Sequence, residues 1–479
     1  MGRDRRTRAR ADRLAARGTR GRSPSAGGGA APPSARQLAA RVLVRVDQDG
    51  AYAAAALDAE FGRYPQLQSR DRALATELVY GCLRSRGALL SRLRRYASRG
   101  IGEDDRLLTA HLLVAAYQLL VLERVPHFAT VNSAVELVSR ERGRRVGGFV
   151  NAVLRRLASS GERLDWADAV LESTPTWLRD RLEAAVGSDE AHALLGLCRA
   201  SAEPGGGSRQ DPPAVAVRVI PDRALPDWMR DAPPGRVVAD ARLLRRLGNP
   251  RQREGWAEGA FVVQEEGAQA VAHALGARPG ERVLDACAGR GQKSSLLAQQ
   301  LGRGGTLWSA DLYASKLRSL EEEFERLRLS APQTAAVDWT TGVGPVPGGF
   351  DRVLVDAPCS GVGTLRRRPD LVGRLGPEDP QRLGELAAQI TRQAASRLRS
   401  GGRLVFAVCS VLPEECEHIV SALDDILQPV PFDAPTLVRP PPGCPDCESA
   451  VQPGATSFRL LPRRHGTDGY FVASFIVRH

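Results

Sequence analysis

The sequence predicts a multidomain protein in which an all-α domain precedes an α/β domain with a mostly parallel sheet. At 479 residues the chain is too long for one ordinary core. Its N-terminal part carries apolar residues at helical spacing, and apolar strands alternate with helical stretches from about residue 261 onward. The stretch between these two regions combines a helical pattern with a short strand, which predicts a small mixed α+β subdomain.

The composition is that of a soluble globular protein with a polyanionic partner, for which nucleic acid is the first candidate. The chain is 43% hydrophobic and 25% charged, with a net charge of +12 and a pI near 9.8. No apolar run is long enough to span a bilayer, and no export signal follows the N-terminal arginines. Eight cysteines in so long a chain do not suggest a disulfide framework. We therefore expect a monomeric cytoplasmic protein with no membrane association and no metal.

Four segments follow one another along the chain. Residues 1–35 are rich in arginine, serine, glycine and proline, which predicts a disordered basic tail that either holds RNA loosely or is merely solvated. Residues 36–164 form the helical domain, whose first helix, SARQLAARVLVRVDQ, begins at a capping serine. Residues 165–260 form the small subdomain, with AVAVRVI as its strand. Residues 261–479 form the α/β domain, with the strands RVLDAC, TLWSAD, TAAVD, RVLVDAP, RLVFAVCS and YFVASFIV.

The stretch ERVLDACAGRGQKSSLLAQQL predicts a strand, a glycine loop and a helix that together bind an anionic group. Gly289 and Gly291 permit a tight turn, and the helix that begins near Ser294 presents unpaired N–H groups. The next two strands end at Asp311 and Asp338, where an acid can meet ribose hydroxyls and an adenine amino group. These features suit S-adenosylmethionine. NAD is the competitor, although its G-x-G-x-x-G pattern is broken at Ser294, and a purely structural turn would also explain the glycines.

Lysine is rare in this chain, and one lysine lies in the glycine loop. Of the 67 lysine and arginine residues, only Lys293 and Lys316 are lysines. A retained lysine suggests a site that needs a compact ammonium on a flexible stem rather than a planar guanidinium. We expect Lys293, or the start of the helix that follows, to bind the carboxylate of the cofactor's amino-acid moiety.

Two cysteines follow the ends of strands that we expect to be neighbours in the sheet. Cys359 follows Asp356 in DAPCSGVGTLRRRPD, and Cys409 lies in RLVFAVCS. Such a pair could form a disulfide, bind a metal or act in catalysis, and an isolated D-A-P-C could also be a strand end with a buried thiol. Metal sites usually need more ligands, so a thiolate nucleophile is the sharper interpretation.

Several motifs together resemble one enzyme family. The segments VLDACAGRGQK, VDAPCSGVGTLRRRPD and VCSVLPEECE resemble the successive motifs of RNA cytosine-C5 methyltransferases of the Sun/Nop2 family, and FVVQEEGAQAVAHAL and GTDGYFVASF resemble its flanking blocks. The segments SRDRALATELVYGCLR and PHFATVNSAVELV are similar to the NusB-like domain that precedes the catalytic part in the RsmB (Sun, Fmu) branch. The resemblance covers the chain from about residue 36 to residue 479.

The resemblance implies a NusB-like helical RNA-binding domain, a small RNA-recognition subdomain and a Rossmann-like methyltransferase domain. It implies that Cys409 is the nucleophile, that Cys359 assists product release, and that Asp356 orients the cytosine near the cofactor. A thiolate that adds to C6 of cytosine makes C5 nucleophilic, so the residue types agree with this chemistry. The implied contacts of S-adenosylmethionine are Cys287, Ala288, Gly289, Arg290, Gly291, Gln292, Lys293, Asp311, Asp338 and Asp356.

The implied activity is S-adenosylmethionine-dependent methylation of cytosine C5 in RNA. Small-subunit (16S) ribosomal RNA is the expected substrate, because the resemblance includes the NusB-like domain. A tRNA cytosine-C5 methyltransferase is the enzymatic alternative. A non-catalytic RNA-binding or ribosome-assembly factor is the alternative from another class, and the retention of both thiols and of the acids in the pocket argues against it.

Two positions depart from the family's motifs. Val408 replaces the threonine that usually precedes the nucleophile, and we expect this change to tune activity rather than abolish it. The common A-P-G-G-K loop reads Gly289-Arg290-Gly291-Gln292-Lys293 here, which leaves the role of Arg290 open.

Two further groups of residues complete the predictions. We expect Arg366, Arg367 and Arg368 to grip the phosphates that flank the flipped base, with a solvated loop as the alternative. Cys444 and Cys447 form a lone C-x-x-C, which lacks the second pair that a zinc site needs.

Overall fold

The computed structural model describes residues 32–97, 100–101, 105–197, 213–245, 247–432 and 451–478. Nearly all of the predicted tail and the C-x-x-C motif at Cys444 and Cys447 lie outside these residues. The chain divides into two compact units between Thr174 and Pro175. Over the described residues, the first unit is helical and the second contains two β-sheets.

The first unit is a helical bundle in the part of the chain that the structure describes. Ser34 caps the first helix by accepting a hydrogen bond from the Gln37 N–H, as the sequence predicts. In the fifth helix every residue from Ala110 to Leu120 is buried, so this helix forms the centre of the bundle. No helix within the described ranges is long and apolar enough to cross a membrane. The helices are α1 (Ala35–Gln48), α2 (Ala53–Arg63), α3 (Ser69–Arg84), α4 (Arg86–Tyr96), α5 (Arg106–Leu120), α6 (His127–Arg142), α7 (Arg144–Ser159) and α8 (Trp166–Ser173).

The last helix of this bundle, α8, lies within the segment that the sequence assigned to the small subdomain. The Ser173 side chain accepts a hydrogen bond of 3.0 Å from the Ala88 N–H in α4. A Cβ atom at Gly87 would come within 3.0 Å of the Ser173 backbone, so α4 and α8 approach closely. The helical unit therefore extends to Thr174, past the predicted limit at residue 164.

The second unit begins with two helices and a small antiparallel sheet of order β2-β1-β3. Its elements are α9 (Thr176–Val186), α10 (Ser188–Leu194), β1 (Val215–Val219), β2 (Ala241–Leu244) and β3 (Phe261–Val263). The sequence predicts that the α/β domain begins at Phe261, but the strand that begins there, β3, pairs with β1, where Val263 lies opposite Val217. Phe261 also packs with Val217 and Met229 in a separate apolar core. The small sheet thus extends beyond the predicted limit at residue 260.

The larger sheet has eight strands in the order β10-β11-β8-β7-β4-β5-β6, with β9 paired to β11. The strands β4 to β8 pair in parallel, and β11 pairs antiparallel with β8, β9 and β10. This arrangement confirms the predicted α/β domain with a mostly parallel sheet. The strands are β4 (Arg282–Asp285), β5 (Thr306–Asp311), β6 (Gln333–Ala336), β7 (Phe350–Asp356), β8 (Leu398–Val408), β9 (Leu427–Pro429), β10 (Ser457–Leu460) and β11 (Tyr470–Val477).

Helices cover both faces of this sheet. Side chains alternate between the faces along each strand, so each face has an apolar core that helices bury. Val283 packs on one face in a core with Leu297 and Leu320. Its neighbour Leu284 packs on the other face in a core with Ile390. The helices of this domain are α11 (Glu266–Ala274), α12 (Gln292–Leu301), α13 (Ala314–Leu327), α14 (Asp379–Ala395), α15 (Glu417–Ala422) and α16 (Pro462–His465).

The carboxyl ends of the parallel strands meet at one edge of the sheet. Asp285, Asp311 and Asp356 end β4, β5 and β7, and Val408 ends β8. β6 ends at Ala336, so Asp338 lies in the following loop rather than at the strand end that the sequence predicted. This edge therefore brings together the segments that carry the predicted site residues.

Candidate active site

The two thiols singled out in the sequence lie in contact at the carboxyl edge of the sheet. The neighbouring parallel strands β7 and β8 place Asp356 opposite Ala407, just before the two cysteine loops. Cys359 Sγ and Cys409 Sγ are 3.4 Å apart, well beyond the bond length of about 2.05 Å in a disulfide, and both thiols are free. The hydrogen bond with Cys409 raises the pKa of Cys359 well above its ordinary value, and burial adds to this shift. The structure therefore holds a reduced thiol pair.

An ion pair lies beside the thiols. Lys293 Nζ is 2.5 Å from Asp356 Oδ2, and the two side chains are 14% and 26% exposed. Burial lowers the pKa of Lys293, but the Asp356 carboxylate outweighs this effect and raises the pKa overall. Lys293 also interacts electrostatically with Cys409, and Asp356 with Cys359. The lysine of the glycine loop therefore faces the thiol pair.

The glycine loop between β4 and α12 is a tight turn that only glycine fits at one position. Gly291 has φ +83°, and a Cβ atom there would lie 2.5 Å from Leu320 Cγ. Gly289 has φ +58°, and a Cβ atom there would meet no atom within 4 Å. The Ala288 N–H donates to the Ala310 carbonyl, which ties the loop to β5. The turn thus presents an open side at Gly289.

Two predicted acids flank this loop, and their carboxylates are already oriented. Asp311 accepts hydrogen bonds from the N–H groups of Gly289 (3.0 Å) and Tyr313 (2.9 Å) and from Lys316 Nζ (3.2 Å). Because a carboxylate has about four acceptor positions, these three donors leave room for one more. Asp338 accepts from the Thr340 N–H at 3.0 Å and from its hydroxyl at 2.5 Å.

The remaining predicted loop residues have different surroundings. Cys287 packs against the core on one face of the sheet, and burial raises its thiol pKa well above the ordinary value. Gln292 donates from its side chain to the Val263 carbonyl at 3.0 Å, which links the loop to the small sheet. Arg290 is exposed. No group of three or more His, Cys, Asp or Glu in the described residues is arranged to hold a metal ion.

Sequence reasoning missed two buried acids at this edge. Asp285 accepts from the Ser294 hydroxyl at 2.7 Å, and burial raises its pKa to about 7. Glu415 accepts three hydrogen bonds from Ser360 and Ser410, the residues that follow the two thiols. The first acid carried a signal, because it ends a strand as Asp311 does. Glu415 carried no such signal, because its position in the sequence predicts neither its burial nor its hydrogen bonds to the serines beside the thiols.

The prediction that Arg366 and Arg367 grip phosphates is wrong. Both guanidinium groups bind Asp468 Oδ1, at 2.5 Å and 3.0 Å, and Arg366 also donates to the Gly466 carbonyl at 2.8 Å. The Arg366 side chain is 10% exposed. The sequence could not reveal this pairing, because Asp468 is remote along the chain. These arginines instead fasten the loop after Cys359 to the C-terminal GTDGY block, while a phosphate contact at Arg368 stays a prediction.

The sheet order, the glycine loop and the thiol pair agree with the class that the motif resemblance implies, an S-adenosylmethionine-dependent RNA methyltransferase. Comparisons with known proteins give the same class. The family described as 16S rRNA methyltransferase RsmB/F matches residues 272–476, and the NusB family matches residues 33–159.

Relatives along most of the chain identify the family. "Probable ribosomal RNA small subunit methyltransferase B" of Bacillus subtilis is 30% identical over 459 residues, which cover 92% of this chain and 98% of the relative. "Ribosomal RNA small subunit methyltransferase B" of Xanthomonas campestris pv. campestris is 34% identical over 410 residues, covering 82% and 88%. The chain belongs to the RsmB/F family of methyltransferases. The resemblance predicted from its motifs is therefore confirmed.

A solved structure supports the fold independently. The crystal structure of PH0851 has a TM-score of 0.74 to this chain at 20% identity. The match covers 94% of this chain and 100% of that one. The predicted order of a helical domain followed by an α/β methyltransferase domain is confirmed.

Proposed function

We propose that this chain transfers a methyl group from S-adenosylmethionine to C5 of a cytosine in small-subunit ribosomal RNA, with Cys409 as the nucleophile. The observation that carries the proposal is the thiol pair, 3.4 Å apart, beside the Lys293–Asp356 ion pair. The names of the relatives support the substrate, and the NusB match of the helical unit supports a role in RNA binding. A reducing cytoplasm is the proposed location, because both thiols of the site must stay reduced.

Covalent addition by Cys409 explains why the reaction needs a thiolate. Its sulfur forms a bond to C6 of the cytosine, and the electrons of the C5–C6 double bond then make C5 nucleophilic. When bound, S-adenosylmethionine supplies a methyl group carried on a sulfonium ion. Once C5 is methylated, a water molecule acts as the base that takes the C5 proton, the electrons of the C5–H bond re-form the double bond, and the Cys409 thiolate leaves C6. The cytosine must leave its base stack to reach this edge of the sheet.

Asp356 and Lys293 are proposed to hold the cytosine against Cys409. The ammonium occupies Asp356 Oδ2, so Oδ1 is left to accept a hydrogen bond from the exocyclic amino group of the base. Asp356 is 26% exposed, and a base entering the site can reach it. Lys293 serves a second purpose, because a nearby ammonium stabilises a thiolate.

Cys359 is proposed to act when the product is released. Its raised pKa keeps it a neutral thiol, which can donate a hydrogen bond. At 3.4 Å from Cys409 Sγ, it can donate to that sulfur as the bond to C6 breaks. Without this donor, we expect the enzyme to remain attached to its RNA.

The residues at the carboxyl edge fit S-adenosylmethionine. Asp285 Oδ1 is buried and has no hydrogen-bond donor among the described residues, so an incoming ammonium would satisfy it. The open side of the turn at Gly289 leaves space for a ligand. Asp311 would bind a ribose hydroxyl and Asp338 the adenine amino group. Because Lys293 is engaged by Asp356, the N–H groups that begin α12 would bind the carboxylate. The loop from Cys287 to Gln292, including Ala288, Arg290 and Gly291, would line the site.

Methyl transfer to defined RNAs tests the proposal. The purified chain is incubated with S-adenosylmethionine carrying a tritiated methyl group and with 16S rRNA, small ribosomal particles or tRNA, and bisulfite sequencing then locates the product. We expect label in 16S rRNA, free or in particles, and none with Cys409→Ser. Label in tRNA alone would make tRNA the substrate. RNA binding without any label would favour the non-catalytic RNA-binding or assembly factor.

A further inference from the structure

A buried glutamate connects the two thiol loops. Glu415 is fully buried and lies in a short turn after the nucleophile block, where its N–H donates to the Leu412 carbonyl. Its Oε1 accepts a hydrogen bond of 2.5 Å from the Ser360 N–H. Its Oε2 accepts from the hydroxyls of Ser360 and Ser410, both at 2.5 Å. One carboxylate thus accepts all three hydrogen bonds.

The two serines are the residues that directly follow the thiols, Ser360 after Cys359 and Ser410 after Cys409. Both are buried. Ser410 Oγ also accepts from the Leu412 N–H at 3.3 Å, so its own hydrogen is left for Glu415. Consecutive Cα atoms are about 3.8 Å apart, so an anchor at each serine restricts the adjacent cysteine. The carboxylate therefore fixes the backbone beside both sulfur atoms.

The electrostatics agree with an anchoring role. An ionised carboxylate only accepts hydrogen bonds, which matches the three donors that surround Glu415. Burial raises the pKa of Glu415 overall, and the hydrogen bonds from Ser360 and Ser410 oppose this shift because they favour the ionised form. The charge of Glu415 also contributes to the raised pKa of Cys359, so it helps keep that thiol protonated.

We propose that Glu415 is a positioning residue that holds the Cys359 and Cys409 loops in register, so that the nucleophile and the releasing thiol act on the same base. It touches the serines rather than the base or the cofactor. This inference rests on the roles proposed above for the two cysteines. It predicts that a single change at Glu415 disturbs adduct formation and release together.

Oxidation of the thiol pair tests the positioning without relying on methyl transfer. Diamide accepts two electrons and two protons from two thiols, and peptide mass spectrometry then detects the Cys359–Cys409 disulfide. Wild-type protein should form this bond readily because the sulfur atoms are in contact. Glu415→Gln replaces one acceptor oxygen with a donating amide group, so the thiol loops should lose part of their anchor. We therefore expect disulfide formation to slow about tenfold and kcat to fall about 100-fold. The KM for S-adenosylmethionine and the circular dichroism spectrum should be unchanged.

Glu417→Gln is the matched control, because Glu417 is nearby in sequence but pairs with Arg459 and is far more exposed. It should behave as the wild type in every assay.

Substitutions of the two serines separate adduct formation from product release. Ser410→Ala should slow adduct formation, and Ser360→Ala should let the adduct accumulate. These two variants decide the matter if Glu415→Gln does not fold.

The outcomes distinguish this inference from the proposed function. A folded Glu415→Gln protein that forms the disulfide at the wild-type rate overturns the positioning role, whatever its activity. Slower disulfide formation in a protein whose wild type methylates no RNA would support the positioning role and overturn the proposed function instead. Serine variants that oxidise and methylate like the wild type would also overturn the inference.

Discussion

Gly289 and Gly291 both have positive φ angles, yet alanine at each position should have a different effect. Positive φ costs alanine about 1–2 kcal/mol. At Gly291 the new Cβ would also lie 2.5 Å from Leu320 Cγ, and such overpacking costs about 1–3 kcal/mol more. The free energy of unfolding should therefore fall by about 1–2 kcal/mol in Gly289→Ala and by about 2–5 kcal/mol in Gly291→Ala. Urea unfolding monitored by circular dichroism measures both values.

Gly289→Ala should also weaken cofactor binding, an effect that the unfolding measurements do not detect. Its Cβ would fill the open side of the turn, so we expect the affinity for S-adenosylmethionine to fall tenfold or more, about 1.4 kcal/mol. Gly280→Ala is the control, because Gly280 also has a positive φ (+84°) and a Cβ atom added there would meet no atom within 4 Å. Gly280 precedes the start of β4, whereas Gly289 follows its end, so Gly280 lies away from the site. Calorimetry should show normal binding by this control. Equal affinities of Gly280→Ala and Gly289→Ala would refute the placement of the cofactor, and equal stability losses at Gly289 and Gly291 would refute the packing argument.

Three further predictions concern single charged groups. Asp311→Ala removes an oriented acceptor, so calorimetry should show S-adenosylmethionine binding weakened by about 1.5–3 kcal/mol, and unchanged binding or tight NAD binding would contradict the pocket. Asp285 has a raised folded-state pKa of about 7, so the native protein without ligand retains a proton that the unfolded chain releases, and its stability falls as pH rises from about 4 to 7. Asp285→Asn cannot bind this proton, so the drop in the free energy of unfolding from pH 5 to pH 8, measured with urea, should be smaller than in the wild type by about 3 kcal/mol. An equal drop in both proteins would contradict the raised pKa of Asp285. Arg366→Gln leaves the buried Asp468 short of a partner, so stability should fall by about 3 kcal/mol while the salt dependence of RNA binding stays unchanged, and a flatter salt dependence would instead assign Arg366 to RNA.

The elements of the α/β domain could be predicted because their signals are local. Each predicted strand is a short apolar run, and a parallel sheet then requires the strand ends to share one edge. This is why Asp311, Asp356, Cys359 and Cys409 could be grouped without a structure. Limits between domains were less accurate, since the placement of α8 and β3 depends on which neighbour each element packs against.

Side-chain partners could not be predicted, because they join residues that are remote in sequence. The sequence predicts that either Lys293 or the start of the following helix binds the cofactor's carboxylate, and the structure pairs Lys293 with Asp356. Arg366 was expected to bind phosphate, and it pairs with Asp468. Glu415 drew no prediction from the sequence, and the structure buries it between two serines. In each case, composition suggested a charge and only the fold supplied its partner.

Covalent capture of RNA by the Cys359→Ala protein tests whether Cys409 attacks the cytosine and Cys359 releases the product. The protein is incubated with S-adenosylmethionine and 16S rRNA, separated on a denaturing gel, and digested to locate any attached nucleotide. We expect a slowly migrating protein–RNA species in which Cys409 is linked to a cytosine, and we expect it to be absent when Cys409→Ser is added to the same protein. A Cys359→Ala protein that turns over freely without attached RNA, or an adduct that survives the loss of Cys409, would contradict these roles.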